Sequence, residues 1–233
     1  MSIKYNKKYL ELVNQLTQID SSIIFNKSDD KIKIIRSNNS KTIIYTLDVD
    51  KKNFEFESED IAFYNFPEFY RLLSVFESPE IIEDVNQSKI IVSENKSKIK
   101  YKVSDSEVIP KISGGGNIGE SDVELMITST ELDQIKKMIS LISADRVRFK
   151  VKENTKDIIC EFFNTGHSNN WENSYDVTKG SSESFSLVIA SEVFSLIPKN
   201  DYTISILKDG IVKLKYNSED FDLNLYIPES VDE

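Results

Sequence analysis

Two pairs of adjacent carboxylates, Glu59 with Asp60 and Glu83 with Asp84, are the first candidates for chemistry, since paired acids can ligate a divalent cation or share acid and base work. Asp and Glu number 39 among 233 residues, so such pairs arise by chance and carry little weight. The single histidine, His167, sits in the loop-like TGHSNN, with no Ser, Cys or carboxylate set nearby that suggests a triad. Cys160 lies in the apolar run DIICEFF, where a thiol is a small core residue, and alone it forms no internal disulfide. One His and one Cys also leave no zinc spacing. The glycine-rich stretch from Ser113 to Gly119 lacks the following Lys and Ser/Thr of a phosphate-binding loop. No catalytic residue, metal site or cofactor is expected, which argues against an enzyme.

Charge narrows the field further. Lys and Arg number 29, giving a net charge of -10, and such a field repels a phosphate backbone. Any contact with nucleic acid must be local or enforced by geometry. A chain with 39% hydrophobic and 29% charged residues, seven Gly and five Pro reads as compact and globular. The opening MSIKYNKKYLELVNQ lacks a signal-peptide core and cleavage site, and no run reaches membrane-spanning length, so an intracellular protein is expected.

The elements that must position any site follow from periodicity. Residues 6 to 17 place Tyr9, Leu12, Val13 and Leu16 on one helical face. SSIIFNK, KIKIIRS and KTIIYTLDV, divided by polar turns, read as an antiparallel meander, and FEFESEDIAFY extends it. Asn65 with Glu68 predicts a short helix start, with Phe69, Leu72, Leu73 and Phe76 as the apolar stripe. EIIEDV, KIIVSE and KIKYKVS are three further strands.

The stretch DSEVIPKISGGGNIGES holds one of the five prolines and four of the seven glycines and is the one composition break. Beyond it the order restarts. VELMITS is a strand, and residues 129 to 143 are a helix with Leu132, Ile135, Ile139 and Ile142 inward, for which Thr130 and Asp133 offer a start signal. DRVRFKVKE, KDIICEFFN and the NSYDVT region repeat the meander; SFSLVIA leads to a short SEVFSLI helix stopped by Pro198; YTISILKD, GIVKLKYN and FDLNLYIP close the chain. Two copies of one plan predict an α+β protein with two similar domains, at residues 1–106 and 122–229, joined by a linker over 107–121 and followed by a tail at 230–233.

This duplicated plan resembles the sliding clamps, which include proliferating cell nuclear antigen and the phage processivity factors. The segments LVNQLTQIDSSIIF and ITSTELDQIKKMISLISADRVRFKVKENTKDIICEFFN look like those of the T-even-type phage clamps, and the likeness runs from Lys4 to Pro228. The resemblance implies a head-to-tail homotrimer with helices lining a hole and antiparallel sheets outside. It implies a non-enzymatic processivity factor that encircles duplex DNA and tethers a replicative DNA polymerase, loaded by an ATP-dependent clamp loader in the cytoplasm of an infected bacterial host.

Carried onto this sequence, DNA-facing positions are Lys4, Lys7, Lys8 and Asn14 at the first helix, Arg71 on the second, Lys136 and Lys137 on the third and Lys199 after the fourth. The family has a basic residue near Asn14, so the chain departs there. Scattered lysines would give weak contacts that permit sliding, although any single Lys on a helix is as often plain solvent-facing surface. A partner-peptide pocket is implied at Val108, Ile109, Pro110 and Ile112 with Tyr226, Ile227 and Pro228; the plainer alternative is that these residues seal the linker against the domain edges. A subunit junction is implied between KIKYKVS and NWENSYDV of the next copy, bringing Ile99, Tyr101 and Val103 to Trp171, Tyr175 and Val177. The rival reading is a β-rich phage structural protein of tail or capsid, which would build an extended array instead of a small closed ring.

Overall fold

The computed structural model describes residues 2–112, 121–151, 158–166, 170–175, 177–180, 185–207, 209–216 and 218–230. The chain divides into two compact units. One comprises Met1–Asn39, Tyr45–Gly114 and Glu219–Asp222, the other Ser40–Ile44, Gly115–Ser218 and Leu223–Glu233.

In the first unit, β1 (Ser2–Tyr5) leads into α1 (Lys7–Leu16), whose start is set by Asn6: its side chain accepts from the Lys8 N–H at 3.0 Å. The inward face buries Tyr9, Leu10, Leu12, Val13 and Leu16. At about 2–5 kcal/mol for truncating one such side chain, Leu16→Ala alone would loosen the helix. There follow β2 (Ile23–Ser28), β3 (Lys31–Ser37), β4 (Ile44–Asp50), β5 (Phe54–Glu55) and β6 (Asp60–Phe63). Then α2 (Phe66–Leu73) starts as its sequence predicts, with the Asn65 side chain accepting from the Glu68 N–H. It buries Phe66, Phe69 and Leu73, while Leu72 and Phe76 stay half-buried. Strands β7 (Glu80–Asp84), β8 (Lys89–Glu94) and β9 (Ser97–Lys102) complete the unit.

The second unit runs β10 (Ser121–Ile127), α3 (Ser129–Ile142), β11 (Arg146–Val151), β12 (Ile158–Phe163), β13 (Asn170–Tyr175), β14 (Val177–Gly180) and β15 (Ser186–Ala190). It ends with α4 (Val193–Leu196), β16 (Tyr202–Leu207), β17 (Ile211–Tyr216) and β18 (Phe221–Pro228). The start of α3 corrects the sequence reading. Thr128, not Thr130, caps it: its hydroxyl oxygen accepts from the Glu131 N–H at 3.2 Å, and the Glu131 carboxylate accepts from the Thr128 N–H at 2.7 Å. A glutamate reaches back over one turn, whereas Asp133 has too short a side chain to close a reciprocal box on Thr130.

Strand order shows how fully the plan is duplicated. The first unit contains the runs β5-β1-β7-β8-β9 and β4-β3-β2-β6; the second contains β14-β10-β16-β17-β18 and β13-β12-β11-β15. Adding nine to each strand number of the first unit gives the second. The helices fall in matching places, α1 and α3 after the opening strand, α2 and α4 before the last three. The fillings differ. In the first unit a chain of rings, Tyr9, Phe25, Phe54, Phe63, Phe66 and Phe69, is buried, with Phe25 to Phe54 and Phe63 to Phe69 each at 4.6 Å between centroids. In the second, mostly aliphatic side chains such as Leu132, Val147, Ile189 and Leu214 are packed with Phe149 and Phe162.

Candidate functional site

The helices carry the basic positions, and their surroundings differ. Lys7, Lys8, Arg71 and Lys137 are exposed. Lys4 sits in β1, not on α1 as the sequence suggested, and pairs with Glu55 at 3.2 Å. Asn14 is half-buried, and its carbonyl accepts from the Thr17 hydroxyl. The Lys136 ammonium donates to the Ile197 carbonyl at 2.6 Å, and burial draws its pKa below the ordinary lysine value. Lys199 donates to Asp133, a bond that holds the Asp133 carboxyl below its usual range. In this unit α3 is thereby tied to the segment that follows α4. Lysine content along the sequence does not separate committed cations from available ones; Lys137, next to Lys136, is the exposed one.

Two strands that end their sheets, β9 and β13, bear four of the six residues expected at a subunit junction. On β9 the Lys98, Lys100 and Lys102 side chains alternate with Ile99 and Tyr101. Ile99 is half-buried. Tyr101 packs against Phe69 and Phe63, and its hydroxyl donates to the Asn65 carbonyl at 3.2 Å. Val103 follows the strand, its N–H on the Ser88 carbonyl. On β13, Trp171 packs at a tilt against Phe162, 4.9 Å between ring centroids, and Glu172, facing the other way, is exposed. The side chains of Tyr175 and Val177 lie outside the described residues. Val177 departs from its expected strand: it opens β14 and pairs with Leu125 of β10, so it belongs to a different sheet from Trp171.

The segment after β9 is held from within the first unit. A 3-10 turn at Ser106–Val108 leaves Val108 exposed and turns Ile109 inward against Ile24 and Ala62. Pro110 is exposed and Ile112 half-buried. The Pro110 carbonyl accepts from Arg36 at 2.7 Å. Arg36, 3% exposed, also donates to Asp20 through Nε at 2.9 Å and to the Ser22 hydroxyl at 2.8 Å. Sequence reading passed over this residue, although the signal was present: in KIKIIRS the period of two puts Arg36 on the face of Ile32 and Ile34. In the second unit, Ile227 is buried, Tyr226 half-buried and Pro228 exposed on β18.

Of the two carboxylate pairs, Glu83 and Asp84 resolve into structure, while Glu59 is exposed. Glu83 is 6% exposed and accepts from the N–H groups of Glu57 and Ser58, the latter at 3.1 Å. Asp84 caps the next turn by accepting from the Gln87 N–H. Cys160 is buried, and burial pushes its thiol well above the ordinary value, away from reactivity. His167 and the glycines from 114 to 119 lie outside the described residues. Among the described residues no group of three or more His, Cys, Asp or Glu is placed to hold a metal ion. No described helix is long and apolar enough to cross a membrane.

No protein-family profile and no curated protein matches this sequence. Solved structures do. The chain superposes on proliferating cell nuclear antigen of Entamoeba histolytica with a TM-score of 0.77 at 16% identity, covering 99% of each chain. It has the clamp fold. The A. fulgidus antigen bound to the C-terminal region of FEN-1 gives 0.76 at 12% identity over 100% of both chains, and the Thermococcus kodakaraensis antigen 0.75 at 13% over 98% and 99%. The clamp fold therefore accounts for the whole length, and both copies of the repeated plan fall inside it.

Proposed function

We propose that the chain is a sliding clamp of the T-even phage type, a non-enzymatic ring that encircles duplex DNA and tethers a replicative DNA polymerase. The observation that carries this reading is the duplicated strand order across a chain that matches the clamp fold from end to end. Two domains, over 1–106 and 122–229, make each of three head-to-tail subunits in this proposal, and an ATP-dependent clamp loader opens the ring in the cytoplasm of the infected bacterium. Encirclement accounts for a net charge of -10, because a closed ring holds DNA by topology and needs little affinity. Of the basic positions, exposed Lys7, Lys8, Arg71 and Lys137 are the best suited to touch phosphate.

The junction is assigned to β9 of one copy and β13 of the next, both sheet ends. The lysines of β9 and the exposed Glu172 of β13 are of opposite sign, and the Ile99 and Trp171 faces are apolar. Partner peptides are assigned to the linker side, with Val108, Pro110 and Ile112, and to Tyr226 and Pro228 on β18. Light scattering tests the assembly: the expected mass is three chains, lost in Ile99→Asp, and a stable monomer or open polymer in the wild type overturns the reading. A primer-extension assay then tests the role. Product length should rise only with loader and ATP present, and Lys8→Glu with Lys137→Glu should shorten products while the trimer persists.

A further inference from the structure

A cleft of about 750 Å³ opens in the first unit between β6, the β7–β8 connection and the segment after β9. Six large apolar side chains are exposed among the described residues, and three of them line this one cleft: Tyr64 at 67%, Val85 at 48% and Val108 at 62%. They come from the end of β6, the turn after β7 and the turn after β9, so the fold, not local sequence, brings them together. Single exposed apolar residues need no explanation, but three converging on a concavity mark a binding surface.

The electrostatics select the occupant. Five carboxylates and two lysines contribute to the lining. Of the acids, Glu83 is buried and consumed in capping, whereas Glu59 and Asp105 are exposed at the rim, Asp105 while accepting from the Glu107 N–H at 2.9 Å. That balance repels nucleic acid and attracts cations. The lining also offers main chain. Strand β6 ends its sheet, and its outer side is bridged at Ala62, where the Ser104 N–H donates to the Ala62 carbonyl at 2.8 Å. Asp60 and Ile61, next along the same edge, line the cleft.

We propose that this cleft docks an extended peptide in which Lys or Arg flank one or two apolar side chains. The apolar side chains seat against Tyr64, Val85 and Val108, the basic ones meet the acidic rim, and the peptide backbone continues the edge of β6 past the Ser104 bridge. The site shares Val108 with the pocket assigned above to partner peptides, and its wall reaches Lys102 and Val103 at the β9 side of the proposed junction.

The probe is a set of fluorescein-labelled hexapeptides, Lys-Arg-X-X-Lys-Arg with X as Ile, Leu, Phe or Tyr, read by fluorescence anisotropy against the wild-type protein. Saturable binding is expected for at least one member. Val85→Lys with Val108→Lys should weaken it at least about tenfold, as loss of a buried anchor does. Glu59→Lys should weaken it about threefold and flatten its salt dependence. Tyr226→Ala and Pro228→Ala should leave it unchanged. If the double lysine variant does not fold, Tyr64→Ala at its exposed position decides instead. The proposal falls if no member binds, if binding survives the cleft substitutions, if peptides with Glu in place of Lys and Arg bind equally, or if duplex DNA displaces the peptide.

Discussion

The corner where the first helix of each unit meets its meander is built twice, with different chemistry. In the first unit Asp20, just before β2, accepts from the Ser22 N–H and hydroxyl and from buried Arg36, which also grips the Pro110 carbonyl. In the second unit Asp145, just before β11, accepts from the Thr165 N–H at 3.0 Å and from the Thr165 hydroxyl, and these bonds hold its carboxyl below the usual range. Its backbone carbonyl accepts from the Ser191 N–H. The fold thus calls for an acceptor at this corner and tolerates either donor. Choosing arginine makes the corner more costly to damage, since the guanidinium is nearly dry, and it adds a hold on the segment after β9 that a threonine is too short to make.

The largest effect should come from breaking that arginine corner. Arg36→Ala should destabilise by about 3 kcal/mol, the low end for a broken buried pair because Asp20 keeps some solvent contact. It should also raise hydrogen exchange at Ser106–Val108. Urea denaturation measures the first, and a loss smaller than that of Asp145→Ala would break the comparison. Asp145→Ala itself should cost about 1 kcal/mol through the two hydrogen bonds lost to solvent-exposed Thr165. Helix starts sharpen the contrast further. Thr128→Ala removes a reciprocal cap and should cost about 1 kcal/mol, more than Asn6→Ala, where one cap bond and a long 3.4 Å contact to Asn53 are lost.

The smallest effect is in acid. Burial alone would raise the Glu161 carboxyl, but the charges and hydrogen bonds of Lys150 and Arg148 outweigh it and hold it below its ordinary 4.5. A lowered folded value contributes stability that is present above 4.5 and is lost as pH falls through the folded value. Glu161→Gln should therefore flatten the acid limb of a stability-versus-pH curve by less than about 1 kcal/mol, given its partly exposed partners. An unchanged limb would remove Glu161 from the account.

Much of this architecture was legible because alternation and helical stripes are local. KIKIIRS, KIIVSE and GIVKLKYN each became a strand, and Tyr9, Leu12, Val13 and Leu16 became one buried face. The start of α3 was misplaced because TSTELD offers two overlapping frames, and side-chain reach, not residue type, selects between them. Arg36 was harder: its partners lie 16 and 74 positions away. The cleft was hidden for the same reason, since Tyr64, Val85 and Val108 meet only after three turns are placed. Lys136 looked like its neighbour Lys137 until the Ile197 carbonyl claimed it.

If the chain assembles as proposed, the lysines of β9 bear on its fate before it meets other copies. Two copies meeting edge to edge through β9 would set Lys98, Lys100 and Lys102 against the same row, so mutual repulsion discourages such a two-fold pair. A strand without that row, such as β13 with its exposed Glu172, meets no such barrier. Under the proposed head-to-tail ring, orphan subunits would thereby be kept from trapping one another in closed pairs, which would protect the supply of chains able to assemble.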